Sequence, residues 1–137
     1  MDVARSVRID TEVDRYFREY TNWRHGSVWG HYSKEVENAM VVEMAWWGYT
    51  PSDEAGFLKR VKGRLQAQRR QTTSRVLRVV RLNPGIDEVF KSFTLLAFGR
   101  LWGCYSQAVE SGMVLLMLLS RFRPLEEKLT ARGLNTV

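Results

Sequence analysis

The sequence predicts an all-α protein in which amphipathic helices wrap a central apolar helix at about residues 86–106. Three observations carry this. Apolar residues recur at spacings of three and four, which gathers them on one face of a helix. Glycine or proline falls between the periodic blocks, and no strand-like alternation persists. The stretch SFTLLAFGRLWG (92–103) is apolar on nearly every side, so other helices must cover it.

In the first block Val13, Tyr16, Phe17 and Tyr20 stand at i, i+3, i+4 and i+7, with Asp10 or Thr11 as cap, predicting a helix over 11–22. The linker NWRHGSVWGHY follows. Ser33 opens a second helix with the stripe Val36, Met40, Met44 and Trp47. Thr50-Pro51-Ser52-Asp53 has the order of a helix start: hydroxyl cap, proline in the first turn, then an acid. The basic block beyond it reads as one bent helix or two, because Gly63 and Gln71-Thr72-Thr73-Ser74 weaken continuity while Val76, Leu77, Val79 and Val80 restore an apolar helical face. Asn83-Pro84-Gly85 is a stop. Acids at Asp87 and Glu88 suit the start of the central helix, inside which Gly99 reads as a point where a neighbour approaches closely. A turn at Ser111-Gly112 precedes an apolar helix over 114–122, and Pro124 starts a last short helix ending near Gly133.

The 137 residues, 45% hydrophobic and 26% charged, fit one domain over 1–137 with a core of its own. Cys104 is the only cysteine, which excludes an intramolecular disulfide. The N-terminal segment lacks the apolar core of a signal peptide, Lys91 and Arg100 bound the apolar run at 92–99, and GMVLLMLLS is likewise too short to span a membrane. A cytoplasmic protein with no transmembrane tail is expected. His25 and His31 form no trusted metal-ligand spacing, and no phosphate loop or nucleophile motif occurs. We therefore expect no cofactor, no metal site and no enzymatic activity. The net charge of +6 is uneven: nine bases and no acid lie between Ala55 and Ile86, a field that favours anionic partners.

A nearly all-round apolar helix in a chain of this size resembles the Bcl-2 family of apoptosis regulators. Glu12-Val13-Asp14-Arg15-Tyr16-Phe17-Arg18 is similar to that family's opening helix. Leu82-Asn83-Pro84-Gly85-Ile86, with Leu95-Leu96-Ala97-Phe98-Gly99 after it, looks like the first homology region running into the central helix. Lys128-Leu129-Thr130-Ala131-Arg132-Gly133-Leu134-Asn135 is similar to the second region. Two segments compete as the BH-3-like element, 33–47 and Leu58-Lys59-Arg60-Val61-Lys62-Gly63. Trp102-Gly103 competes as the first region.

The resemblance implies a Bcl-2-like bundle and a divergent anti-apoptotic protein of viral type. It would capture BH-3 helices of pro-apoptotic partners and so inhibit apoptosis in a host cell, in the cytoplasm or at mitochondria through those partners. Anchoring on Phe98-Gly99 puts Glu88-Val89-Phe90-Lys91 where the family has Asn-Trp-Gly-Arg, so Lys91 would meet the partner's aspartate with less directionality than arginine. Phe90, Phe93, Phe98, Leu77, Val80 and Met44 would line the groove, with Glu88 and Arg81 at its rim. An exposed trough would also allow a homodimer. The competing expectation is a helical nucleic-acid-binding protein using the bases from Lys59 to Arg81. On the Bcl-2-like reading no nucleic acid is expected.

Overall fold

The computed structural model describes residues 1–61 and 74–131. The elements are β1 (Val3–Asp10), α1 (Thr11–His25), α2 (Tyr32–Trp46), a 3-10 turn (Pro51–Asp53), α3 (Glu54–Val61), β2 (Arg75–Leu82), α4 (Pro84–Phe98), α5 (Cys104–Leu119) and α6 (Arg123–Ala131). The protein is mostly helical but not all-α, because β1 and β2 pair as an antiparallel ribbon from Val3 opposite Leu82 to Asp10 opposite Arg75.

The strands overturn the helical expectation for Val76, Leu77, Val79 and Val80, and the reason lies in which positions face inward. Val3, Arg5, Val7 and Ile9 alternate with Ala4, Ser6 and Arg8. Val76, Arg78, Val80 and Leu82 alternate with Leu77, Val79 and Arg81. A period of two is present in both segments. An arginine at one inward position of each strand hides it.

Asp10 caps α1, its Oδ1 accepting from the backbone N–H of Glu12 and Val13, and Asn83 does the same for α4 through Gly85 and Ile86. The single helix expected at 86–106 is two helices. α4 ends at Gly99 in the left-handed region, φ +80°, and α5 begins after Gly103, φ +75°. A Cβ at Gly99 would meet nothing within 4 Å, so Gly99 is a helix terminator and no close-approach site. That role belongs to Gly112, inside α5 where a turn was expected. A Cβ there would fall on the carbonyl oxygen of Ala39, and this lets α2 and α5 cross backbone to backbone.

α2 and α5 cover the inner face of the ribbon and pack on each other. The core between these layers holds Val7, Ile9, Phe17, Tyr20, Val36, Met40, Val80, Leu82, Phe90, Phe93, Val109 and Met113, each no more than 1% exposed. Among the described residues, helices lie on one side of the ribbon, and the side chains of its other face are exposed. Among the described residues, no helix is long and apolar enough to cross a membrane.

Candidate nucleic-acid interface

The inward arginines of the ribbon are held by buried acids. Arg5 donates from Nε and Nη2 to the two carboxylate oxygens of Asp87, both at 2.8 Å, and Tyr105 donates its hydroxyl to the same carboxylate at 2.7 Å. Arg78 makes the same fork on Asp14, at 3.0 and 2.7 Å, and Tyr32 donates to Asp14 at 2.7 Å. The Arg5 hydrogen bond, working against burial, holds Asp87 below the usual carboxylate range. Burial pushes Asp14 up, but the hydrogen bonds from Arg78 and Tyr32 outweigh it and leave that group low as well. Burial beside these carboxylates raises both tyrosines.

These are two copies of one arrangement, at the constant offset of 73 residues that separates Arg5 from Arg78. Asp14 and Asp87 share it, as do Tyr32 and Tyr105, and Arg18 and Lys91. Thr21 and Thr94 share it too, each donating to the carbonyl four residues back at 2.8 Å. Gly26 and Gly99 are matching left-handed caps. The left-handed pair Gly48 and Arg121, φ +71° and +57°, accounts for the only positive φ on a non-glycine among the described residues. The chain is thus an internal repeat, β1-α1-α2-α3 followed by β2-α4-α5-α6. The strand register places its pseudo-twofold axis at Ser6 opposite Val79, and α2 and α5 cross at the matching pair Ala39 and Gly112.

Each ribbon edge is bonded at one end by the opposite repeat. The backbone N–H of Arg8 donates to Ser106 Oγ at 3.0 Å and that of Arg81 to Ser33 Oγ at 3.0 Å. Asp10 N–H donates to Glu110, and Asn83 N–H to Glu37. These four outward-pointing amides are therefore satisfied at one end of each edge. The same bonds bring the first turns of α2 and α5 against the ribbon's two long edges.

The outer ribbon face carries Ala4, Ser6, Arg8, Leu77, Val79 and Arg81, all exposed, with Arg75 at one end. Ser6 and Val79 lie on the axis. Arg8 opposite Leu77 and Arg81 opposite Ala4 flank it symmetrically. Two exposed tryptophans, Trp29 at 92% and Trp102 at 89%, tip the matching loops ahead of α2 and α5. Trp102 shares an open cleft of about 870 Å³ with Ser6, Arg8, Leu77, Lys91 and Leu101.

The groove residues expected from sequence are mostly not brought together. Phe90, Phe93 and Val80 are 0% exposed, and Met44 is buried. Phe90 and Phe93 stack with Tyr105, Tyr49 and Phe57, so helices already fill the trough they would floor. Phe98 packs at the core margin. Val80 and Leu77 lie on opposite faces of β2. Lys91 has its anions at home, Glu88 at 2.8 Å and Asp87 at 3.9 Å. Of the basic block, residues 62–73 lie outside the described residues, as do residues 132–135 of the segment similar to the second homology region. His25, which is exposed, stacks on His31 at 4.3 Å, with its Nε2 at 2.6 Å from Glu35.

The exposed ribbon face was missed from sequence because the repeat was missed. Comparing the sequence with itself would have found it: Val7-Arg8, Asp14, Phe17, Thr21, Gly26, Trp29-Gly30, Tyr32-Ser33, Val36-Glu37 and Met40-Val41 all recur at the same offset. No family model, curated protein or solved structure matches the chain.

Proposed function

We propose that this protein binds B-form DNA by laying the outer face of the β1–β2 ribbon in the major groove, acting by binding and not by catalysis. The observation that carries the proposal is the solvent-facing antiparallel ribbon with Arg8 and Arg81 at two-fold-related positions. The major groove, about 12 Å wide, admits a two-stranded ribbon, and arginine reads guanine there through O6 and N7. A protein two-fold matches the local dyad of duplex DNA. The first turns of α2 and α5, held at the ribbon edges through Ser33 and Ser106, would meet the phosphates on either side, where helix N-termini favour anions. The net charge of +6 supplies steering. Duplex RNA has a major groove too deep and narrow for a ribbon. This is the nucleic-acid expectation with its vehicle changed, because strands carry the bases from Arg75 to Arg81.

A labelled mixed-sequence DNA duplex titrated with the protein, followed by fluorescence anisotropy, tests the proposal. Binding that weakens steeply with salt and exceeds that of duplex RNA is expected. A lack of DNA binding at low salt would sink the proposal.

One observation favours a second reading, the Bcl-2-like capture of a BH-3 helix in a bundle groove. The cleft beside Trp102 joins Lys91 and Leu77, two of the residues expected to hold such a helix, to the apolar Leu101. Calorimetric titration with BH-3 peptides tests it. Binding lost in Lys91→Glu is the result it requires.

A further inference from the structure

We infer that this protein reads a DNA site whose two halves differ, and that Ala4, Ser6, Leu77 and Val79 set the difference; the inference rests on the ribbon reading above. Two copies of one chain must present identical residues across their axis and so match a palindrome. Here the two strands belong to one chain and have diverged at the repeat offset. Val3, Arg5, Val7 and Arg8 recur unchanged as Val76, Arg78, Val80 and Arg81, whereas Ala4 becomes Leu77 and Ser6 becomes Val79.

The changes fall on the outer face. Inward positions keep their identity or, at Ile9 and Leu82, their apolar character, because they face the shared core and the buried acids. Packing therefore gives no reason for the divergence. Arg8 and Leu77 form one flank of the outer face, Arg81 and Ala4 the other, with Ser6 beside Val79 between them. Both flanks retain an arginine, so a guanine is read on each side of the pseudo-dyad. Only one flank adds the long apolar Leu77, 54% exposed, which suits a thymine methyl. At the axis the apolar Val79, 64% exposed, faces a hydroxyl that bonds to any base. The reading frame is a guanine pair related by two-fold symmetry, with a thymine preference toward Leu77 and Val79 alone.

Selection from randomised duplexes, followed by sequencing of the bound pool, tests this on the intact chain and on the variant Ala4→Leu/Ser6→Val, which equalises the outer face. The wild type is expected to enrich an asymmetric site with guanines on both flanks. Swapping its thymine-bearing half for the other half should cost about tenfold in affinity. The variant is expected to shift toward a palindrome, and unchanged melting would show that its fold is intact. A palindromic wild-type site, enrichment of no sequence, or an unchanged preference in the folded variant overturns the inference while leaving ribbon binding standing. Absence of any duplex binding overturns the ribbon reading itself.

Discussion

Arg5 of the first strand forks onto Asp87, 82 positions away in the second repeat, with both contacts at 2.8 Å. Arg78 returns the same fork to Asp14. Each repeat thus supplies a forked arginine to the other's buried acid, while Arg18 at 3.0 Å joins Asp14 and Lys91 at 3.9 Å stands by Asp87 from the acid's own repeat. The carboxylates of Asp87 and Asp14 are almost fully buried, at 2% and 1% side-chain exposure. Truncating either arginine removes both bonds of a fork from one of them, leaving Asp14 with Arg18 and Tyr32, or Asp87 with Tyr105 and the more distant Lys91. Arg5→Ala and Arg78→Ala are each expected to destabilise the fold by about 2 kcal/mol in denaturant titrations, with the larger loss for Arg5→Ala because Arg18 stays on Asp14. A cost under about 0.5 kcal/mol for either would mean the forks do not hold the ribbon.

Acid should unfold the protein through the same pair. Both aspartates titrate below their ordinary value in the folded state. The unfolded chain therefore binds protons first as the pH drops, and the stability these groups contribute is complete above the ordinary aspartate pKa of about 3.9 and lost as the pH falls through the lower folded values. Thermal melting between pH 7 and pH 2 should show a fall concentrated below about pH 4. Asp14→Asn/Asp87→Asn should start less stable at pH 7 and show a shallower fall. An equally steep fall in that variant would place the acid sensitivity elsewhere.

Gly112 is expected to tolerate no side chain. Alanine is the better helix former by about 1 kcal/mol, but its methyl would meet the carbonyl of Ala39, where backbone and no flexible side chain must yield. Gly112→Ala should lose about 2 kcal/mol in chemical denaturation. A stabilised variant would show that α2 and α5 do not cross so closely.

Much of the helical layout was legible in the sequence, and the failures have physical causes. The cap Asp10, the stripe of α2 and the start at Pro51 follow from local chemistry, which is what sequence periodicity reports; Asn83, which reads as part of a stop, instead caps α4. The strands were not legible as strands because Arg5 and Arg78 occupy inward positions, and a charge there reads as solvent-facing until its buried partner is known. Leu77, Val79 and Val80 looked like one apolar helical face, yet Val80 is core while its neighbours are solvent-facing. The central helix was drawn too long because Gly99, a left-handed cap, lies between two apolar segments with no proline to mark the break. For the candidate site, the bases Arg75 to Arg81 read as anionic-partner chemistry in the sequence, but nothing local links Arg8 to them. That link exists only through strand pairing, which brings residue 8 opposite residue 77.

The central claim is that the outer ribbon face is the DNA-contacting surface, and the most direct measurement is DNA affinity after removing its two symmetric arginines. Arg8→Ala/Arg81→Ala is compared with Arg60→Ala/Arg121→Ala. The latter lowers the charge equally at the far ends of α2 and α5, where Arg60 donates to Gly48 and Arg121 to Glu126. By anisotropy at fixed salt, the ribbon variant is expected to lose about 100-fold in affinity, and the distal variant no more than about threefold. Equal losses in the two variants would reduce the interaction to bulk charge and contradict the ribbon as the reading head.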